Sequence, residues 1–146
     1  MSGQERLERL LRLRRHERDM AALAMRRAEE QAAAAEAAAR AARERRDEAE
    51  RRQAAASRRP QSTHDFLQGR FEVLERIDDE RMQDLQERRL HRALNLRRGD
   101  LRQAMVREEQ MKHLDESERR RQQAEEQHLE QKALDDLRRE GGGQSW

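Results

Sequence analysis

The chain has 146 residues, of which 44% are charged and 34% apolar, with a net charge of only +2. Its aromatic residues are Phe66, Phe71 and Trp146, too few for a three-dimensional core, where aromatic side chains ordinarily supply much of the buried area. This argues against a β-sandwich, a Rossmann sheet and most enzyme folds, and leaves a long-helix protein or a disordered chain.

The first predicted element opens at Ser2-x-x-Glu5, a capping-box pattern, and runs from about residue 3 to about residue 57. A seven-residue repeat runs through it. Leu7, Arg14, Ala21, Ala28, Ala35, Ala42, Ala49 and Ala56 share one register, with Arg14 the polar exception. Leu10, Leu11, Met20, Leu23, Ala24, Met25, Ala32, Ala38 and Ala39 widen the stripe. Alanine lets two helices approach closely but buries little. A fully buried Leu or Met contributes about 1.5–3 kcal/mol, and Ala far less. The seam has two readings: high helix propensity alone, or a close contact with larger residues of a second helix.

Pro60, the only proline, breaks the pattern by removing a backbone donor and clashing with the preceding turn. A turn over about 58–62 follows. Ser62-x-x-Asp65 then repeats the capping signal, with an acidic side chain near free N–H groups, and predicts a second helix from about 63 to 140. Its apolar positions include Leu67, Phe71, Leu74, Ile77, Leu85, Leu94, Leu101, Met105, Met111 and Leu114. Spacings of three, four and seven recur among them, as a packed helical face requires. Gly69 and Gly99 each weaken the helix by about 1 kcal/mol relative to Ala, short of breaking it. Gly141-Gly142-Gly143 predicts the end of the helix and a flexible tail over 141–146.

The expected fold class is all-α: two long helices in an antiparallel coiled-coil hairpin, forming a single elongated domain over 1–146. At 1.5 Å per residue the helices would span roughly 80 Å and roughly 115 Å. Residues 1–60 carry a net +5 and residues 61–146 a net −3, so the two halves attract along their flanks. The short link at Pro60 favours the same arrangement. Folded back, the first helix covers the second to about residue 118 and leaves its last ~20 residues alone.

Catalytic patterns are not found. His16, His64, His91, His113 and His128 include no pair at the spacing of a helical metal site. There is no HExxH, GxxxxGK[ST] or GxSxG motif. Carboxylates and histidines read as solvated surface with no pocket to shift their pKa values. No enzyme activity, metal or other cofactor is expected. The absence of Cys excludes thiolate metal sites and disulfides. No apolar run approaches a membrane span of about 18–20 residues, and the opening Arg/Glu/Leu alternation is unlike a secretory signal. A cytoplasmic protein is expected. Arg6, Arg9, Arg12, Arg14, Arg15, Arg18 and Arg119-Arg120-Arg121 are the best candidates for a nucleic-acid surface. Acids interleave the first cluster and stacking aromatics are missing there, so a solvated or protein-contacting helix is the expected reading. An interfacial membrane helix is disfavoured by the acids among residues 7–25.

Three segments resemble the FliJ/YscO family of type III secretion proteins. Leu7-Glu8-Arg9-Leu10-Leu11-Arg12-Leu13-Arg14-Arg15 is similar to the opening of virulence-type members. Phe66-Leu67-Gln68-Gly69-Arg70-Phe71-Glu72-Val73-Leu74-Glu75-Arg76-Ile77 resembles the family's aromatic and aliphatic start of the second helix. Glu125-Glu126-Gln127-His128-Leu129-Glu130-Gln131-Lys132-Ala133-Leu134-Asp135-Asp136-Leu137 resembles its C-terminal pattern. The chain departs from the flagellar pattern in having no Tyr and no Trp within the second helix, which favours a nonflagellar type. The resemblance implies a non-enzymatic central stalk at the cytoplasmic base of a secretion apparatus. Its implied partners are a hexameric secretion ATPase, the cytoplasmic domain of an export-gate membrane protein and secretion chaperones. On that reading Arg6, Arg9, Arg12, Arg15, Arg119, Arg120 and Arg121 are the ATPase-contact candidates, because guanidinium groups meet carboxylates and carbonyls. Phe66, Phe71, Leu74 and Ala42 are the export-gate candidates, with hairpin core the competing reading for Leu74 and Ile77. The alternative functions are a generic structural coiled-coil spacer or scaffold, and a nucleic-acid-associated helical protein.

Overall fold

The structure, a computed structural model, describes residues 2–143. Two helices make up almost all of it: α1, Gly3–Ala56, and α2, Thr63–Gly143. Among the described residues there is no strand.

Local chemistry sets the helix ends. The Glu5 N–H donates to Ser2 Oγ at 3.2 Å, and the Asp65 N–H to Ser62 Oγ at 3.1 Å. Each hydroxyl thus caps an N–H that has no intrahelical acceptor. At the end of α1 the ladder tightens: the Arg59 N–H reaches Ala56 O at 3.1 Å, and Ser57 Oγ donates to Ala54 O at 2.9 Å. Pro60 follows and cannot extend the helix. At the far end of α2 the glycines do not stop the chain, for the helix runs to Gly143. No described glycine has a positive φ. Glycine weakens a helix without excluding it, because helical dihedrals remain open to it. The rest of the expected tail, 144–146, lies outside the described residues.

The chain divides into two compact units. One comprises Met1–Met20 with Arg102–Trp146, the other Ala21–Leu101. Within each unit the two helices pack against each other. In the unit Ala21–Leu101, Arg52 pairs with Glu72 at 3.0 Å, Arg46 with Glu80, and Arg43 with Asp84 at 3.1 Å. In the other unit Glu8 meets Arg119 at 3.2 Å and Arg18 meets Glu108 at 2.8 Å. Partner numbers rise on α2 as they fall on α1, so the helices of each unit run in opposite directions.

Every buried residue among those described falls on a seven-residue repeat. On α1 one series is the expected one, buried at Ala28, Ala35, Ala42 and Ala49; the other runs through Leu11, Ala32 and Ala39. On α2 one series holds Val73, Leu94, Glu108 and Asp115, with Glu80, Glu87 and Leu101 half-buried on it. The other holds buried Ala104, with Leu90 and Met111 half-buried. The core of the unit Ala21–Leu101 is small: Leu94 sits between Ala28 and Ala32, with Met25 and Leu90 against it.

Two sequence readings change here. Leu67, Phe71, Leu74, Leu85, Met105 and Leu114 are exposed rather than packed. The face that α2 turns toward α1 is instead set by the repeat through Val73, and much of it is acidic. Second, the carboxylates are not all in water. Glu108 and Asp115 are buried, because α1 brings Arg18 and Gln4 over them.

Candidate interaction surfaces

In the unit Met1–Met20 with Arg102–Trp146, the polar seam engages part of the arginine cluster. Glu108 accepts from Arg18 at 2.8 Å and also pairs with Lys112 at 3.5 Å and Arg15 at 3.9 Å. Asp115 accepts from Gln4 Nε2 at 2.7 Å and from Arg119 Nε at 3.0 Å. Arg119 reaches on to Glu8. Buried carboxylates require such partners, since an unpaired buried charge costs several kcal/mol on the order of its desolvation. The Arg18 guanidinium is raised further above its ordinary pKa by hydrogen bonds to Asp19 and Glu108.

The seven expected ATPase-contact arginines therefore divide. All are exposed, but Arg15 and Arg119 brace the helix pair. Arg120 pairs with Glu116 at 3.7 Å, one turn away. Arg121 clasps Glu118 at 2.6 Å and Glu125 at 3.3 Å; that bond holds the Glu118 carboxyl below its ordinary pKa. Among the described residues, Arg6, Arg9 and Arg12 make no ion pair. At 100° per residue they lie within an arc of roughly 120° on the side of α1 away from the buried series. Exposed Leu13 shares that side. They are the part of the cluster left free to meet another molecule. Beyond Gln122, every described side chain of α2 through Gly141 is exposed, including Leu129, Leu134 and Leu137.

The expected export-gate residues all lie in the unit Ala21–Leu101. Phe66 and Leu74 are exposed at 45% and 43%, and Phe71 at 63%. Phe66 lines a groove with Gln53, Ala54, Ser57 and Arg70. Ala42 is the correction: at 1% exposure it is sealed inside the helix pair and offers no contact surface. Its methyl group belongs to the seam that lets the backbones come close. For the competing core reading, Ile77 is half-buried and Leu74 is not; the side chain that fills the seam beside them is Val73.

Sequence reasoning missed Met82 and Leu96, which are exposed at 66% and 71% on the same side of α2 as Phe71, Leu74 and Leu85. The available signal was a second apolar series out of phase with the repeat through Val73. Across α1 and α2 of this unit, Arg43 bonds Asp84 at 3.1 Å and Glu87 at 3.5 Å. The Asp84 bond, and then the Asp84 charge, raise its pKa above the ordinary guanidinium value.

Among the described residues no cluster of His, Cys, Asp or Glu has the arrangement of a metal site, and no helix is long and apolar enough to cross a membrane. Comparison with family models, curated proteins and solved structures gives no match.

Proposed function

We propose that the chain is a non-enzymatic antiparallel coiled coil that serves as the central stalk of a type III secretion ATPase. In this role it promotes assembly of the hexamer and couples it to the export gate. Coiled-coil pairing is supported by the strict heptad spacing of buried positions on both helices. The stalk reading rests on the resemblance to the FliJ/YscO family. The observation that carries its contact end is the unpaired row Arg6, Arg9 and Arg12 on one outward helix face, suited to carboxylates and carbonyls of a ring-shaped partner. Exposed Phe66, Phe71 and Leu74 are the surface offered to the gate protein. Secretion chaperones are further proposed partners, and the cytoplasmic face of the apparatus the proposed location.

The test is ATP hydrolysis by a type III secretion ATPase from the organism that encodes the chain, with and without the chain. Changing Arg6, Arg9 and Arg12 together to Glu is expected to leave circular dichroism unchanged and to abolish stimulation. Arg15 and Arg119 are unsuitable for this purpose, because replacing them disturbs Glu108, Asp115 and Glu8. Stimulation at the wild-type level by the triple variant would refute the contact assignment. No effect of the wild-type chain on hydrolysis or hexamer formation would refute the stalk role.

A further inference from the structure

The side of α2 that faces away from α1 carries its own apolar row in the unit Ala21–Leu101. Phe71, Leu74, Met82, Leu85 and Leu96 are all exposed, and at 100° per residue they fall, with Ala93, within an arc of roughly 100°. Leu85, Ala93 and Leu96 line a groove there with Arg89 and Arg92. Monomeric proteins seldom leave a continuous apolar strip of this kind uncovered.

The row is self-complementary. Reflection about the point between residues 83 and 84 places Phe71 opposite Leu96, Leu74 opposite Ala93, and Met82 opposite Leu85. The charges on the same strip follow the same rule: Glu75 falls opposite Arg92 and Asp78 opposite Arg89, and on its flank Asp79 falls opposite Arg88. The acids occupy the N-terminal half of the strip and the bases the C-terminal half. Among the described residues, Glu75, Asp78, Arg89 and Arg92 take part in no ion pair within the chain.

We propose that this face pairs with the same face of a second copy of the chain, the two α2 helices running antiparallel about a two-fold axis near residues 83 and 84. A two-fold interface repeats each contact twice. Every apolar residue of the row then meets an apolar residue, and every charge on the strip meets its opposite. Phe71 of each copy packs against Leu96 of the other, at the end of the groove that Ala93 and Leu96 line, an aromatic anchor of the kind that dominates interface energy. A parallel in-register pair would set Asp78 against Asp78 and Arg89 against Arg89, so charge selects the antiparallel arrangement. The proposal does not depend on the stalk reading. Because it covers Phe71 and Leu74, self-pairing and a gate contact at those residues exclude each other.

The absence of cysteine makes the geometry directly testable. The full-length variants Phe71→Cys and Leu96→Cys each carry one thiol. Mixed under mild oxidation, they are expected to form a disulfide-linked dimer, whereas either variant alone stays uncrosslinked, its two thiols being roughly 38 Å apart across the axis. In sedimentation equilibrium the wild-type chain is expected to dimerise, with Asp78→Arg or Arg89→Asp weakening the dimer about tenfold or more. The double exchange Asp78→Arg with Arg89→Asp restores it, since each new charge again meets its opposite. Circular dichroism confirms that each variant is helical. A monomer at every concentration up to about 100 µM, efficient self-crosslinking of Phe71→Cys alone, or failure of the double exchange to restore pairing overturns the proposal.

Discussion

Leu94→Ala probes how the helix pair is held together. Leu94 is 4% exposed and is the large side chain at the centre of its cluster, flanked by Ala28, Ala32, Met25 and Leu90. Truncation removes three carbon atoms from an almost fully buried position. At about 0.8 kcal/mol per buried methylene equivalent this amounts to about 2.4 kcal/mol. A cavity penalty would raise the figure in an enclosed core, but a two-helix interface has solvent on both flanks and water fills the space. The loss should therefore stay near the transfer value, a fall in thermal midpoint of roughly 5–10 °C for a chain of this size. The assay is thermal and urea unfolding followed by circular dichroism at 222 nm, at a concentration where the wild-type chain is monomeric. Leu137→Ala, at a position 63% exposed on the same helix, is the matched control and should stay within about 0.5 kcal/mol of wild type. If Leu94→Ala costs no more than that control, apolar burial along the repeat is not what holds the helices together and the packing argument fails.

Two further perturbations test separate parts of the account. A Cβ added at Gly99 meets nothing within 4 Å, and one added at Gly69 meets only Gln53 Cγ at 3.8 Å. Gly99→Ala and Gly69→Ala should each stabilise α2 by about 1 kcal/mol; an unchanged or lower thermal midpoint would show that these glycines serve a bend. The Glu118 carboxyl is held below its ordinary pKa of 4.5 chiefly by the hydrogen bond from Arg121. The stabilisation from that bond is fully present above the ordinary carboxylate value and is lost as pH falls through the depressed one. Glu118→Gln should therefore melt below wild type at pH 6 and together with it at pH 2. A difference independent of pH would refute the role assigned to the charge.

Much of the fold was legible before any coordinates. Ser2-x-x-Glu5 and Ser62-x-x-Asp65 marked two helix starts, and the structure realises both caps through the expected hydroxyls. Pro60 marked the break, and the alanine register of α1 is one of its two buried series, at Ala28, Ala35, Ala42 and Ala49. These signals are local. A cap, a proline or a seven-residue apolar period acts over one or two turns, so its physics is complete within the sequence that carries it.

What tertiary structure decided was the face of α2 that meets α1. Its sequence offers two competing helical stripes: one runs through Phe71, Leu74, Met82, Leu85 and Leu96, the other through Val73, Glu80, Glu87, Leu94, Glu108 and Asp115. By hydrophobicity the first is the better core. The second is chosen because α1 presents arginines at positions 18, 43 and 46 among its alanines. A carboxylate is a poor core residue by itself and a good one opposite a guanidinium that it can reach. The identity of that partner lies across the turn, on the other helix, and no periodicity within α2 records it. The same pairing separates the arginines that brace the helices, Arg15 and Arg119, from Arg6, Arg9 and Arg12, which remain free. It also turns the more apolar face of α2 outward, where a second copy can reach it.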